Sequence, residues 1–134
     1  MRRLLLLLSL TLPLSLSATA NTAGADGSAA QRLVELSQRR EVVATDPLVA
    51  QAGGLLKKAA RSSGADEQAV AEASIRAARF LFDATKAPVT PLDVVDAIAA
   101  RGKGRVLSDT IGAYVEARRN SAGKTHAEAL AAMK

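Results

Sequence analysis

The sequence lacks cysteine and tryptophan, and it contains one histidine, one tyrosine and two phenylalanines. Without cysteine, a domain of this size has no disulfide to support a small core, and thiolate metal sites are excluded. A single histidine leaves a zinc site without its usual ligands. The shortage of aromatic side chains disfavours a sugar-binding cleft and a platform on which single-stranded nucleic acid stacks. The sequence therefore predicts neither a metal nor a cofactor.

The N-terminus has the layout of a secretory signal peptide. Two arginines stand at positions 2 and 3, an apolar run extends to Leu16, and residues 18–20, Ala-Thr-Ala, offer the small side chains that a signal peptidase requires. Pro13 interrupts the run and no positive cluster follows it, which disfavours a membrane anchor. We expect cleavage after Ala20, with Ala25 as the second candidate, and a periplasmic or secreted mature protein without a membrane span.

Cleavage also changes the charge balance. Removing residues 1–20 removes two of the 18 basic residues and none of the 13 acidic ones, so the net charge falls from +5 to +3. This charge is ordinary for a small domain and lower than that expected of a dedicated nucleic-acid-binding protein. The charge balance therefore disfavours a nucleic-acid partner.

The remaining basic residues form four local clusters. If the fold brings several clusters together, they form a patch for an anionic partner such as nucleic acid, a lipid head group or an acidic protein. If it does not, they are solvated helix ends, and the segment RGKGR at residues 101–105 is also typical of a helix C-terminus, where the dipole favours cations. The candidate contacts with an anionic partner are Arg39, Arg40, Lys57, Lys58, Arg101, Lys103, Arg105, Arg118 and Arg119.

Alanine accounts for 27 of the 114 residues after position 20, whereas leucine, isoleucine, valine and phenylalanine together account for 24. Alanine is the strongest helix former and strand-favouring residues are sparse, so we predict an all-α fold, a small bundle of five to six short helices. The expected organisation is a signal peptide over residues 1–20, a flexible N-terminus over 21–27 and a single helical domain over 28–134. Because large apolar side chains are few, the core is thin and the domain is expected to gain stability from a partner.

The first predicted helix spans residues 28–44. Its periodicity places Leu36 and Val43 on the buried stripe and pairs Glu35 with Arg39 at i,i+4 on the solvent side. Capping residues followed by apolar periodicity mark the starts of the other helices. These starts are predicted at Asp46, Asp66, Thr90, Ser108 and Thr125.

The third predicted helix, over residues 66–86, is the longest and is expected at the centre of the fold. Its buried face includes Ile75 and Phe82. Within the second helix, the adjacent Gly53 and Gly54 indicate a kink, a close approach of another helix or a hinge. Gly102 is predicted to end the fourth helix in the left-handed cap conformation.

The segment NSAGKTH, at residues 120–126, ends like a nucleotide-binding P-loop. A P-loop needs GxxxxGK[ST] after a strand, because its glycines let backbone N–H groups surround the phosphates. Arg118 stands where the first glycine is required, and no strand precedes it. ATP is also not expected outside the cytoplasmic membrane. We therefore predict no bound nucleotide, and we interpret Thr125 and Glu128 as the capping box of a last short helix.

The sequence offers few groups for catalysis. Asp93 and Asp96 share a predicted helix face and could hold a hard cation weakly, but a solvated acidic face is the simpler interpretation. His126 is the one conventional general base, and no GxSxG elbow supplies a nucleophile. We interpret His126 as a solvated residue in the first turn of the last helix.

Residues 33–52, LVELSQRREVVATDPLVAQA, resemble the first helix of exported helical chorismate mutases, in which a leucine-rich start and an arginine precede a Val-Ala segment that leads to a lysine. The resemblance implies a helical pocket in which arginines and that lysine bind a dianionic substrate. Here Gln51 and Ala52 occupy the positions where the lysine should fall, and Asp46 and Pro47 interrupt the segment. The resemblance supplies the alternative function, a small helical enzyme that binds an anionic metabolite through arginines.

The function that the sequence favours is a non-catalytic protein-interaction module in a bacterial envelope, whose partner is another envelope protein or a second copy of the chain. A weak core that leaves one helix face partly exposed is consistent with such a partner. An accessory of a secretion or conjugation machine, and an immunity or inhibitor protein, both fit this description.

The predicted cleavage site can be checked directly. When the full-length chain is expressed in a Gram-negative host, N-terminal sequencing and intact mass of the periplasmic fraction should give a product that begins at Asn21. Changing Ala18 and Ala20 to arginine should block cleavage, because the peptidase requires small side chains there. A cytoplasmic product that retains Met1 would contradict the prediction.

Overall fold

The computed structural model describes residues 28–120 and 125–133. The predicted signal peptide, residues 21–27, Gly123 and Lys124 lie outside the described residues. The described residues form six helices and no strand, which confirms the predicted all-α fold class. None of these helices has the length and apolar character needed to cross a membrane. The helices are α1 (Ala29–Gln38), α2 (Pro47–Ser63), α3 (Glu67–Thr85), α4 (Pro91–Arg101), α5 (Leu107–Asn120) and α6 (His126–Ala132).

Most helix starts follow from local capping chemistry. The side chains of the N-cap residues accept hydrogen bonds from backbone N–H groups of the first turn, which would otherwise lack a partner. Thr125 and Glu128 form the predicted capping box, so the threonine of the Gly-Lys-Thr segment begins a helix. The confirmed N-caps are Ser28, Asp46, Asp66, Thr90 and Thr125.

The first helix ends earlier than predicted. Arg39 adopts the left-handed conformation with φ of 54°, and its N–H donates to the Glu35 carbonyl, so α1 stops at Gln38 instead of extending to residue 44. As a result Val43 leaves the predicted buried stripe and is 67% exposed, while Leu36 is 44% exposed.

The segment after α1 is held by polar side chains of α1 itself. The Gln31 amide donates to the Val42 carbonyl at 2.9 Å, and the Val42 N–H donates to the Glu35 carboxylate at 3.4 Å. These bonds carry Val42 inward, where it is 7% exposed. Glu35 therefore fastens the loop, and the predicted pairing of Glu35 with Arg39 is wrong.

Two glycine predictions resolve differently. Gly102 lies in the right-handed region with φ of −82°, so the predicted left-handed cap is wrong. The Gly102 N–H donates to the Ile98 carbonyl, and a Cβ added at Gly102 would collide with that carbonyl oxygen. Helix α2 continues through both of its central glycines. A Cβ at Gly53 would lie 3.9 Å from Ala30 Cβ, so α1 comes close to α2 at this point.

Helix α4 lies at the centre of the bundle and contacts every other described helix. Six of its 11 residues are buried, including the fully buried Val94, Val95 and Ile98. The central helix is therefore α4, and the prediction that α3 holds this place is wrong. The short α4 is apolar on several sides, whereas the longer α3 keeps one face in water.

Buried side chains form two clusters. The main cluster is built around Leu56, Leu81, Ile98 and Tyr114 and extends over all six helices. A smaller cluster joins α1, the following loop and α2. Its members are alanines and valines, which allow the two helices to approach closely. They are Ala30, Val34, Val42, Val49 and Ala52.

Ser74 supplies a test of this core. The side chain is fully buried in α3, and Oγ has no hydrogen-bond partner in the described part of the chain. Ser74→Ala should raise the free energy of unfolding in urea by about 1 kcal/mol, because it removes an unsatisfied buried hydroxyl and improves helix propensity.

Ser63→Ala is the matched control. The Ser63 hydroxyl donates to the Ala59 carbonyl at 2.9 Å and accepts from the Ala65 N–H. Its removal should lower stability or leave it unchanged. A destabilised Ser74→Ala variant would show that the hydroxyl has a partner.

Candidate functional site

An open groove runs between α1 and α3, and we call it the α1–α3 groove. Its volume is about 540 Å³. One side is formed by the last turn of α1, the other by the C-terminal half of α3, and the end by the connection to α4. Its lining residues are Leu36, Ser37, Arg39, Ile75, Ala78, Arg79, Phe82, Pro88, Val89, Thr90 and Pro91.

Two exposed apolar side chains stand in this groove. Leu36 is 44% exposed and Phe82 is 39% exposed, although the sequence pattern places both on buried faces. Leu36 stays at the surface because α1 stops two residues later, before it could extend over α3. Phe82 lies at the edge of the buried face of α3, whose centre is occupied by Ala78 and Leu81.

Two cations lie over the Phe82 ring. Arg39 Cζ is 5.6 Å and Lys86 Nζ is 5.9 Å from the ring centroid, within the range of cation–π attraction. Both residues adopt positive φ and cap the C-termini of α1 and α3. The two helix ends therefore place positive charge on the same aromatic ring.

The groove continues into a smaller, polar cavity of about 320 Å³, which we call the arginine pocket. Arg32 from α1 and Arg76 and Arg79 from α3 line it. Ile75 and Arg79 belong to both cavities. Its full lining is Arg32, Glu72, Ile75, Arg76 and Arg79.

The two cavities form one path along α3. Arg32 faces the pocket and Leu36 the groove, so α1 and α3 run in the same direction beside it. The path extends from Glu72 to Phe82, a distance of about 15 Å at the rise of an α-helix. It is basic at one end and apolar at the other.

The arginine pocket is the part of the site that sequence analysis missed. Arg76 and Arg79 are three residues apart on one helix, which places them on one face. The i,i+4 spacing of Arg76 from Glu72 and of Arg79 from Asp83 is typical of ion pairs within one helix, but neither arginine forms an ion pair with any described residue. The third member, Arg32, joins them only through the packing of α1 on α3.

Among the predicted anionic-partner contacts, Arg39 lies in the α1–α3 groove, and the others lie outside this groove and the arginine pocket. Arg40 lies 3.5 Å from the Asp46 carboxylate, and Arg101 Nε donates to the Leu130 carbonyl. That these residues contact an anionic partner stays a prediction. Exposed Lys57 and Lys58 lie on α2, Lys103 and half-buried Arg105 in the α4–α5 connection, and exposed Arg119 near the end of α5.

Arg118 differs from the other candidate contacts in its burial. It is 5% exposed, and its guanidinium hydrogen-bonds to the Tyr114 hydroxyl. In this structure the side chain therefore packs within the bundle, and its contact with an anionic partner stays a prediction.

His126 belongs to a polar network and is not a solvated residue as interpreted from the sequence. Its Nδ1 lies 2.8 Å from the Tyr114 hydroxyl and its Nε2 lies 2.7 Å from an Asp96 carboxylate oxygen. Burial, opposed in part by the Arg118 guanidinium, raises the pKa of Tyr114 well above its usual range, so the hydroxyl keeps its proton. In the neutral imidazole, Nδ1 accepts from the hydroxyl and Nε2–H donates to the carboxylate.

This network fastens α6 to α4 and α5. Tyr114 is fully buried, and both ring nitrogens of His126 have hydrogen-bond partners, one on α5 and one on α4. Asp93 is likewise used locally, since its carboxylate accepts from the Thr90 N–H. In the described residues no group of three or more acidic or histidine side chains could hold a metal ion.

A second groove lies on the other side of α3, facing α5. It has a volume of about 710 Å³ and contains Phe80 and Val106, which are 50% and 60% exposed. Arg76 is the one charged residue in its lining. This α3–α5 groove is therefore apolar with one arginine in its lining, whereas the α1–α3 groove has two, Arg39 and Arg79.

No protein-family model matches the chain, and neither a characterised protein nor a solved structure shows significant similarity to it.

The His126 network predicts the stabilities of two variants. His126→Ala should lower the free energy of unfolding in urea by about 1–3 kcal/mol, because the buried Tyr114 hydroxyl loses its acceptor. Tyr114→Phe should also lower it, because the buried Arg118 guanidinium loses a hydrogen bond, although the partly exposed imidazole can bond to water instead. The double variant should be less destabilised than the sum of the two single variants. If His126→Ala unfolds within about 0.5 kcal/mol of the parent, the network does not hold α6.

Proposed function

We propose that the mature chain is an exported, non-catalytic protein-interaction module of a bacterial envelope, and that its α1–α3 groove binds a segment of a partner protein. The observation that carries this proposal is the exposure of Leu36 and Phe82 in one groove, beneath the cations of Arg39 and Lys86. Exposed apolar surface bordered by polar groups is typical of binding sites.

The charges that line the groove and the pocket indicate the chemistry of the partner. The charged residues that line the groove and the arginine pocket are four arginines and one glutamate. An acidic segment is attracted to this surface, whereas a basic one is repelled. The partner segment is therefore acidic and amphipathic, with an apolar side chain that packs on Phe82 and carboxylates that face the arginines.

The length of the site limits the size of the segment. A path of about 15 Å accommodates roughly ten residues of helix or four to five extended residues. Such a site suits an accessory of a secretion or conjugation machine, and it equally suits an immunity or inhibitor protein that covers a segment of its target.

The alternative function is an enzyme that clamps an anionic metabolite with arginines. The arginine pocket favours it, because three arginines line one cavity. Against it, Ile75 is the one apolar residue in that lining, so the pocket by itself does not enclose the apolar part of a substrate. Residues 33–52, which carry the resemblance to chorismate mutases, are divided between α1, a loop and α2. We therefore favour binding.

Site-specific photocrosslinking tests the groove. Benzoylphenylalanine at position 82 should crosslink to one envelope protein, and the crosslinked peptide should be acidic with an apolar residue. A synthetic copy of that segment should bind the mature chain, and Phe82→Ala and Arg39→Glu should each weaken binding about tenfold or more, as expected of an anchor side chain and of a reversed charge.

Phe80 provides the matched control for this experiment. It is 50% exposed on the same helix but lines the α3–α5 groove. Benzoylphenylalanine at position 80 should not crosslink to the same segment, and Phe80→Ala should change its affinity by less than about twofold. Equal sensitivity at the two positions would count against the α1–α3 groove, as would a segment without acidic residues.

A further inference from the structure

We infer that the arginine pocket is an oxyanion site that binds a phosphate-class dianion, and that the adjoining groove takes an apolar group carried by the same ligand. The inference rests on the proposed function in one respect only, namely that the groove binds apolar groups. Anion binding in the pocket can be measured without any protein partner.

The juxtaposition of Arg32, Arg76 and Arg79 carries this inference. The three side chains come from two helices and line one cavity of about 320 Å³. All three residues are exposed, and none forms an ion pair with a described residue. Positive charges that line one cavity repel one another, and a bound anion would relieve that repulsion. The site is also open enough for an ion to enter from solution.

The chemistry of guanidinium groups favours a tetrahedral oxyanion. Each arginine presents a planar fork that pairs with two oxygens. A single carboxylate has two oxygens and can satisfy one or two forks. A phosphate or sulfate presents oxygens in several directions, so three forks arriving from two helices can share it.

The negative charge of Glu72 repels an anionic ligand, so the direction in which anion affinity changes when Glu72 is neutralised is a test of the site. It is the one acidic residue in the pocket lining, and its carboxylate is fixed by a 2.9 Å hydrogen bond from the Gln68 side chain. A bound dianion would be repelled by this carboxylate. Neutralising Glu72 should therefore strengthen anion binding, a gain that damage to the fold cannot produce.

The position of Arg79 links the pocket to the groove. Arg79 lines both cavities, and Phe82 follows it by one turn of α3, on a neighbouring part of the helix surface. A phosphate ester can therefore place its charged group among the arginines and its apolar group against the Phe82 ring. The predicted ligand class is a phosphate monoester with an apolar substituent close to the phosphorus.

The experiment titrates the mature chain with inorganic phosphate, phenyl phosphate and acetate at low ionic strength, and it follows arginine side-chain and backbone amide resonances by NMR. Phosphate should shift resonances of the three arginines in a saturable manner, while acetate at equal concentration should not saturate. Phenyl phosphate should bind about threefold or more tightly than inorganic phosphate, since its ring buries apolar surface on Phe82.

Variants separate the two parts of the site. The double variant with Arg32→Gln and Arg76→Gln should lower the affinity for both phosphates about tenfold or more. Phe82→Ala should remove only the tighter binding of phenyl phosphate relative to inorganic phosphate. Glu72→Gln should strengthen both about twofold or more. Arg61→Gln, which removes an exposed cation of α2 that lines neither cavity, should change the binding of neither phosphate by more than about twofold.

Each remaining outcome overturns a defined part of the inference. If phosphate does not saturate, or if Arg61→Gln weakens binding as much as the double arginine variant, the pocket is not an oxyanion site. If phosphate binds but phenyl phosphate gains nothing, the free ion is the ligand and the linked apolar subsite is wrong. If an acidic peptide binds the groove while no phosphate binds, the proposed function stands and this inference falls.

Discussion

The architecture of the site depends on the left-handed conformation of Arg39. This conformation costs a non-glycine residue about 1–2 kcal/mol, yet it ends α1 after ten residues and turns the chain toward α2. The turn is held because Gln31 and Glu35 bind the backbone of Val42, which enters the smaller core cluster. Had α1 continued, its next turn would extend along α3 where the groove now lies. The loop bonds therefore maintain the opening in which Leu36 and Phe82 are exposed.

The alanine-rich composition explains why large apolar side chains lie at the surface. Small side chains let the helices approach closely, as where Gly53 faces Ala30, and leave little volume for large residues inside. Both phenylalanines are consequently half-exposed, on opposite grooves of α3. A bundle of this kind needs polar fastening for its shortest element. The seven-residue α6 is too short to be stable alone, and the network of His126, Tyr114 and Asp96 supplies that fastening.

Features of the fold that depend on local interactions could be predicted from the sequence. The N-caps at Asp46, Asp66 and Thr90 could be predicted because each cap bonds to backbone within three residues. Features without a local signal could not be predicted. Arg39 carries no local signal for a left-handed conformation, which is commonest for glycine and asparagine. His126 and Asp96 are 30 residues apart, and the arginine pocket exists only because α1 packs on α3. Candidate chemistry in helical bundles thus depends on helix placement, which spacing along one helix does not provide.

The two residues whose cations lie over Phe82 share an unusual position. Arg39 and Lys86 both occupy backbone conformations that glycine adopts without strain, with φ of 54° and 57°. Replacement by glycine would relax the backbone at either helix end and would at the same time delete a charge from the ring. Backbone stability and the positive charge over Phe82 therefore oppose each other at these positions. The charge on the ring is present at a cost in backbone free energy that glycine would not incur.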